Sequence, residues 1–163
     1  RYQVDPTRIS AAGVSAGAHL AALLGTTDTR AHLDPALADY ASRVNCVASW
    51  YGLFDLTQPF PSTPPNMEDQ VTRFVGSNRS NTDAYRKASP ITYIDPNSAQ
   101  FMLIHGELDS TIPISQTRQF AAALQNASRP PILLTFPNEG HGILNSANVT
   151  AVRQQFLAFL KGC

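Results

Sequence analysis

The pentapeptide Gly13-Val14-Ser15-Ala16-Gly17 has the spacing G-x-S-x-G. It falls where an apolar run, Arg8 to Val14, gives way to the Ala- and Leu-rich stretch Ala16 to Leu24. That context predicts a serine held on a sharp turn between a strand and a helix, its hydroxyl projecting free. The flanking glycines are read as removing side chains that would collide across the turn. The N–H of Ala16, first in the helix, points to the same space and is the candidate donor to an oxyanion. The competing reading is a serine that merely caps a helix. A serine hydroxyl is a weak nucleophile near neutral pH. It needs a base to take its proton and a carboxylate to orient that base.

In folds that use such a turn, the chain order is serine, acid, histidine. Four histidines are available: His19, His32, His105 and His141. His19 lies one helical turn beyond Ser15 and is read as packing. His32 sits in a polar loop and is read as exposed. His105 ends an apolar run and is read as closing the turn that presents the acid. His141, between Gly140 and Gly142, is the candidate general base, because so flexible a loop can carry an imidazole to Ser15. Asp109, in His105-Gly106-Glu107-Leu108-Asp109, is the candidate acid. It follows a strand at its carboxyl end, where ligands gather in open α/β sheets. Glu107 and Asp55 stand second and third.

The elements that must position these residues are legible as alternating patterns. Strands are expected at Arg8 to Val14, Val44 to Trp50, Phe101 to Ile104 and Ile132 to Phe136. Helices are expected at Ala16 to Leu24, Glu68 to Val75, Thr82 to Lys87, Ile114 to Gln125 and Ser146 to Phe159, with a short helical turn at Ala36 to Ala41. Gly25 offers a helix stop and Pro113 a helix start. Val149, Val152, Phe156, Leu157 and Leu160 recur at helical spacing. Alternation of strand and helix implies parallel crossovers and a sheet covered on both faces. One α/β domain over 1–163 is expected, with a Pro-punctuated insertion or lid at about 52–99. Trp50 and Tyr51 are candidate substrate-binding residues. With Phe54 and Phe60 they could wall a pocket, or they could be core.

The chain has 163 residues, 43% hydrophobic and 15% charged, with 12 basic and 12 acidic residues. That balance does not favour a nucleic acid or an anionic membrane as partner. No run of roughly 18 apolar residues is present to span a bilayer. No metal-ligand cluster or phosphate-cradling loop appears, so neither metal nor cofactor is expected. Cys46 and Cys163 are the two cysteines. They could form one disulfide, implying an oxidising compartment, or be a buried thiol and a free tail thiol. Sequons at Asn78, Asn126 and Asn148 lean the same way, towards secretion. The chain starts at Arg1 without an initiator Met or signal pattern, and a processed, cloned or fragmentary chain is expected.

Taken together, these segments resemble the esterase/lipase branch of the α/β-hydrolases, which includes hormone-sensitive-lipase-like carboxylesterases, bacterial feruloyl and acetylxylan esterases, and kynurenine formamidase. The resemblance is carried by Asp5-Pro6-Thr7-Arg8-Ile9 with Gly13 to Ala21, by Ser49-Trp50-Tyr51-Gly52 with Asp55-Leu56, by His105 to Asp109 with Ile112-Pro113 and Gln116, and by Gly140-His141-Gly142. It implies cofactor-free hydrolysis of short-acyl or aryl esters through an acyl-enzyme. It also implies that this chain holds strands five to eight of an eight-stranded fold. The earlier strands, and the His-Gly-Gly oxyanion donors, are absent from it. The strand before Ser15 would then have a bare edge. Either an N-terminal half or a second copy is expected to complete the sheet. The alternatives to an esterase are a non-catalytic hydrolase-like binding module and, within enzymes, an amidase, formamidase or peptidase.

Overall fold

The computed structural model describes residues 3–28, 41–61, 66–143 and 145–163. The readings at His32 and over most of Ala36 to Ala41 lie outside the described residues. Strands β1 (Ser10–Val14), β2 (Cys46–Trp50), β3 (Gln100–Gly106) and β4 (Ile132–Phe136) form a parallel sheet in the order β1-β2-β3-β4. The helices are α1 (Ala16–Thr26), α2 (Met67–Val75), α3 (Thr82–Lys87), α4 (Ile114–Asn126) and α5 (Ser146–Gly162). Short 3-10 turns at Pro6–Arg8 and Pro90–Tyr93 start on prolines, whose fixed φ suits a first turn.

Alternating side chains on the central strands divide two layers. Val47, Phe101 and Leu103 join Ala21 and Ala22 of α1 and Phe120 and Leu124 of α4 on one face. Cys46, Ala48, Met102 and Ile104 face Val152 and Phe159 of α5 on the other. A strand buried on both faces must be apolar throughout, which is why β2 and β3 read as continuous hydrophobic runs. The α5 stripe is buried only in part: Val152, Phe156 and Leu160 pack inward, whereas Val149 is 45% and Leu157 48% exposed.

Residues 52–99 carry a third cluster of their own, in which Leu53, Leu56, Phe60, Met67, Val71 and Tyr85 pack with Ile112. Arg79 pins it. Its guanidinium bonds the Glu68 carboxylate and the Leu56 carbonyl, and lies 4.4 Å from the Tyr85 ring centroid. Phe54 and Phe60 are core, and Phe54 stacks on Phe120 at 4.2 Å. Cys46 and Cys163 form a disulfide with Cα atoms 6.1 Å apart, tying the end of α5 to the start of β2.

Among the described residues β1 pairs only with β2, and it is far less covered than its neighbour. Val14 is 54% exposed, and Ile9, Leu20 and Leu24 nearby are 44%, 52% and 45% exposed. Among the described residues no helix is long and apolar enough to cross a membrane.

Candidate active site

Register aligns the strand ends. Val14, Trp50, Ile104 and Leu134 lie side by side across the sheet. The ladder runs one step beyond them: Ser15 N donates to Trp50 O at 2.9 Å and Tyr51 N to Ile104 O at 2.7 Å. The residues that follow each strand therefore emerge along one edge, and there Ser15, Tyr51, Asp109 and His141 gather.

Ser15 has φ 53° and ψ −121° and no side-chain capping bond, so it does not act as a capping serine. A non-glycine residue in this conformation is strained, and such strain persists only where the surroundings over-determine it. The elbow's need for glycine is one-sided. A Cβ on Gly13 would lie 2.2 Å from the Gly17 carbonyl oxygen, whereas one on Gly17 would meet nothing within 4 Å. The expectation that both glycines relieve crowding is corrected here: Gly13 does, against Gly17's backbone. Ala16 opens α1, so its N–H is one of those a helix leaves without an intrahelical acceptor.

The structure brings three of the sequence candidates into one hydrogen-bonded line. Ser15 Oγ lies 3.0 Å from His141 Nε2, and His141 Nδ1 lies 2.8 Å from Asp109 Oδ2. A carboxylate only accepts, so Nδ1 carries the proton and Nε2 is left to accept from the serine hydroxyl. Asp109 Oδ1 accepts the N–H groups of Thr111 and Ile112, each at 2.8 Å. Burial pushes the Asp109 carboxyl up, but donors from His105, Ile112, His141 and Thr111 outweigh it and hold the group below the usual range.

The remaining acids lie elsewhere. Glu107 pairs with Arg118 at 3.1 Å on the surface. Asp55 accepts from Thr57 N and Oγ1. Gln116 braces that loop, its Oε1 accepting from Phe54 N and Asp55 N. His19 is buried, donates from Nε2 to the Ala88 carbonyl at 2.8 Å, and is pushed down by its burial. Trp50 meets Phe156 edge-on at 5.1 Å. Tyr51, with φ 41°, sets its ring 4.7 Å from that of His141. Burial, then the Asp109 charge, push its phenol up. Sequence reasoning passed over this ring contact and the close approach of His105 to Asp109. A positive φ, a contact between two loops and the way a loop folds back on its own strand leave no mark in residue type.

Next to Ala16 opens an apolar cavity of about 260 Å³, lined by His19, Leu53, Leu56, Met67, Val71 and Phe74 among others. Trp50 and Tyr51 line a different cleft, with Val14, Ile143, Val152 and Phe156.

Residues 1–124 match the family model BD-FAE. The chain is 32% identical over 165 residues to a probable carboxylic ester hydrolase, LipM, of Mycobacterium tuberculosis, covering 96% of this chain and 38% of that protein. It is 34% identical over 155 residues to esterase LipQ of the same organism, covering 91% and 36%. The chain thus spans little more than a third of the length of these relatives. A solved puromycin-hydrolyzing peptidase of M. tuberculosis superimposes with a TM-score of 0.78 at 25% identity, over 96% of this chain and 22% of that one.

Proposed function

The chain belongs to the BD-FAE family of α/β-hydrolases, and on that footing we propose that it carries the catalytic triad of a serine hydrolase that cleaves short-acyl or aryl carboxylic esters. One observation carries the reading: the line from Ser15 Oγ through His141 to Asp109, with steps of 3.0 and 2.8 Å.

In this reading, Ser15 Oγ attacks the ester carbonyl as its proton passes to His141 Nε2. Asp109 holds the imidazole in the tautomer that leaves Nε2 free, and stabilises the imidazolium that forms. The oxyanion is held by the Ala16 N–H together with donors outside this chain. His141 then protonates the leaving alcohol, the acyl group stays on Ser15, and water cleaves it by the same route in reverse. Ester over amide is favoured by LipM and LipQ, whose names specify ester hydrolysis. The apolar cavity beside Ala16 suits a short acyl or aryl group. The half-covered β1 is where an N-terminal half would add strands and further oxyanion donors.

Hydrolysis of p-nitrophenyl acetate and labelling by a fluorophosphonate test the reading, with wild type beside Ser15→Ala and His141→Gln. The expected result is covalent label on Ser15, lost in both variants. Removing a triad member lowers turnover by about 10⁴- to 10⁶-fold in a complete enzyme. A chain that folds yet takes no label at Ser15, even when joined to its N-terminal half, would sink the proposal in favour of a binding module.

A further inference from the structure

Asp109 does not serve His141 alone. Its Oδ2, which accepts from His141 Nδ1 at 2.8 Å, also lies 3.1 Å from Nε2 of His105. His105 lies in the buried run of β3, one residue before its end, with no exposed surface. Its Nε2 is also 3.0 Å from the Ile112 carbonyl oxygen. Both neighbours of Nε2 only accept, so Nε2 carries a proton and shares it, directed at Ile112 O with Oδ2 to its side. Nδ1 of the neutral ring is then an acceptor, and Thr117 Oγ1 donates to it at 2.6 Å. Thr117 lies on α4 and is buried. The acceptors at Nε2 thereby set the tautomer of a histidine on β3, the Thr117 hydroxyl of α4 complements it at Nδ1, and that histidine presents the positive end of its ring dipole to the acid.

We propose that His105 is a positioning residue of the reaction, a second imidazole whose Nε2–H, shared with Asp109 Oδ2, sets how tightly the carboxylate holds the proton of His141. The inference rests on the triad reading above.

The other titratable groups around Asp109 come from each packed element. Tyr51 follows β2 and lies against His141, and after its burial the Asp109 charge helps to raise its phenol. His141 comes from the loop after β4. Glu107 is turned outward to Arg118, and the Glu139 carboxylate accepts from Asn145 N and Asn148 Nδ2. None of these supplies a donor to the side of Oδ2 that His105 occupies. Without the His105 N–H, Oδ2 keeps His141 as its one side-chain donor and binds that proton more tightly. Whether the proton rests on the imidazole or on the carboxylate, the pair releases it at higher pH.

The test is an NMR titration of the chain with ¹⁵N-labelled histidine, comparing wild type, His105→Phe and His105→Gln. His105→Phe should raise the midpoint of the Asp109–His141 pair by roughly half to one pH unit, less than the roughly one to two units of a whole donor lost from a charged group, because Ile112 O shares the N–H. Gln can place an N–H near the position of Nε2, and should recover at least half of the shift. A Phe variant titrating with the wild-type midpoint, or a Gln variant moving as far as Phe, would overturn the proposal. If His105→Phe does not fold, the wild-type spectrum decides. His105 must keep its proton on Nε2 and leave Nδ1 bare while His141 titrates, and a proton found on Nδ1 overturns the assignment. The readout needs no turnover. A titration that moves as stated in a chain that takes no label at Ser15, even when joined to an N-terminal half, would end the hydrolase reading and leave the role of His105 towards Asp109 standing.

Discussion

The ring of Tyr51 rests edge-on against the imidazole of His141, with centroids 4.7 Å apart, and Tyr51 holds a φ of 41° to place it there. The contact limits where a histidine on a Gly-flanked loop can swing. Its value lies in the ring, since the phenol has no hydrogen bond to His141. Tyr51→Phe should keep the rate of fluorophosphonate labelling within about twofold. Tyr51→Ala should lower it by about ten- to a hundredfold, the scale expected when a reacting group is displaced by roughly an ångström. Equal rates in the Ala variant and the wild type would show that the ring does not steer the base.

Gly106 joins the acid loop to the histidine loop. A Cβ there would lie 2.3 Å from the Glu139 carbonyl oxygen and 2.4 Å from that of Gly140, and both are backbone atoms that cannot rotate away. Gly106→Ala should therefore part the two loops. Expected are a loss of about 1–3 kcal/mol in unfolding free energy and a larger loss of labelling than that destabilisation accounts for at 25 °C. An Ala variant that unfolds and labels as wild type does would mean that the loops tolerate separation.

The Asp109 carboxyl is held below its ordinary value: burial raises it, and the donors from His105, Ile112, His141 and Thr111 lower it by more. A group depressed in the folded state contributes stability that is fully present above its unfolded pKa, about 3.9. That contribution is lost as pH falls through the folded value. Asp109→Asn should thus cost about 1–3 kcal/mol near neutral pH, measured by urea unfolding. The gap between the two proteins should close as pH drops below about 4. A gap that stays constant down to strong acid would show that the charge is not what these donors stabilise.

The Cys46–Cys163 bond closes a loop with a sequence separation of 117 and leaves no free thiol among the described residues. Reduction, or Cys163→Ser, should lower stability by about 2–4 kcal/mol, read as a drop in Tm. Cys46 opens β2 at the end opposite Trp50, so labelling at Ser15 well below Tm should be unaffected. Loss of labelling without loss of Tm would place the bond in control of the site instead.

Much of this protein was legible along the chain because the physics is local. Ile132–Phe136 and Thr82–Lys87 have the bounds their residue patterns predict. The other strands and helices fall within a few residues of expectation, since periodicity and proline placement act over one or two turns. The elbow was legible for the same reason: strand, serine and helix are consecutive residues. Strand-to-helix alternation also implied a covered parallel sheet, and the continuous apolar runs of β2 and β3 are what such burial demands.

What residue types alone left open was decided by register and crossover. Asp109, Glu107 and Asp55 are all carboxylates on loops after strands. Only the pairing that sets Val14, Trp50, Ile104 and Leu134 in one row brings Asp109 to the histidine, while Glu107 turns out to Arg118. The bond between Cys46 and Cys163 and the ring of Tyr51 on His141 join residues from separate elements, and the contact of His105 with Asp109, four residues on, depends on how the loop after β3 folds back on its own strand. Whether Gly13 or Gly17 needed to be glycine likewise depended on how closely the turn of the elbow folds back on itself. Periodicity reports which way a side chain faces within its own element. Which partner waits there depends on how those elements are stacked, and that belongs to the folded chain as a whole.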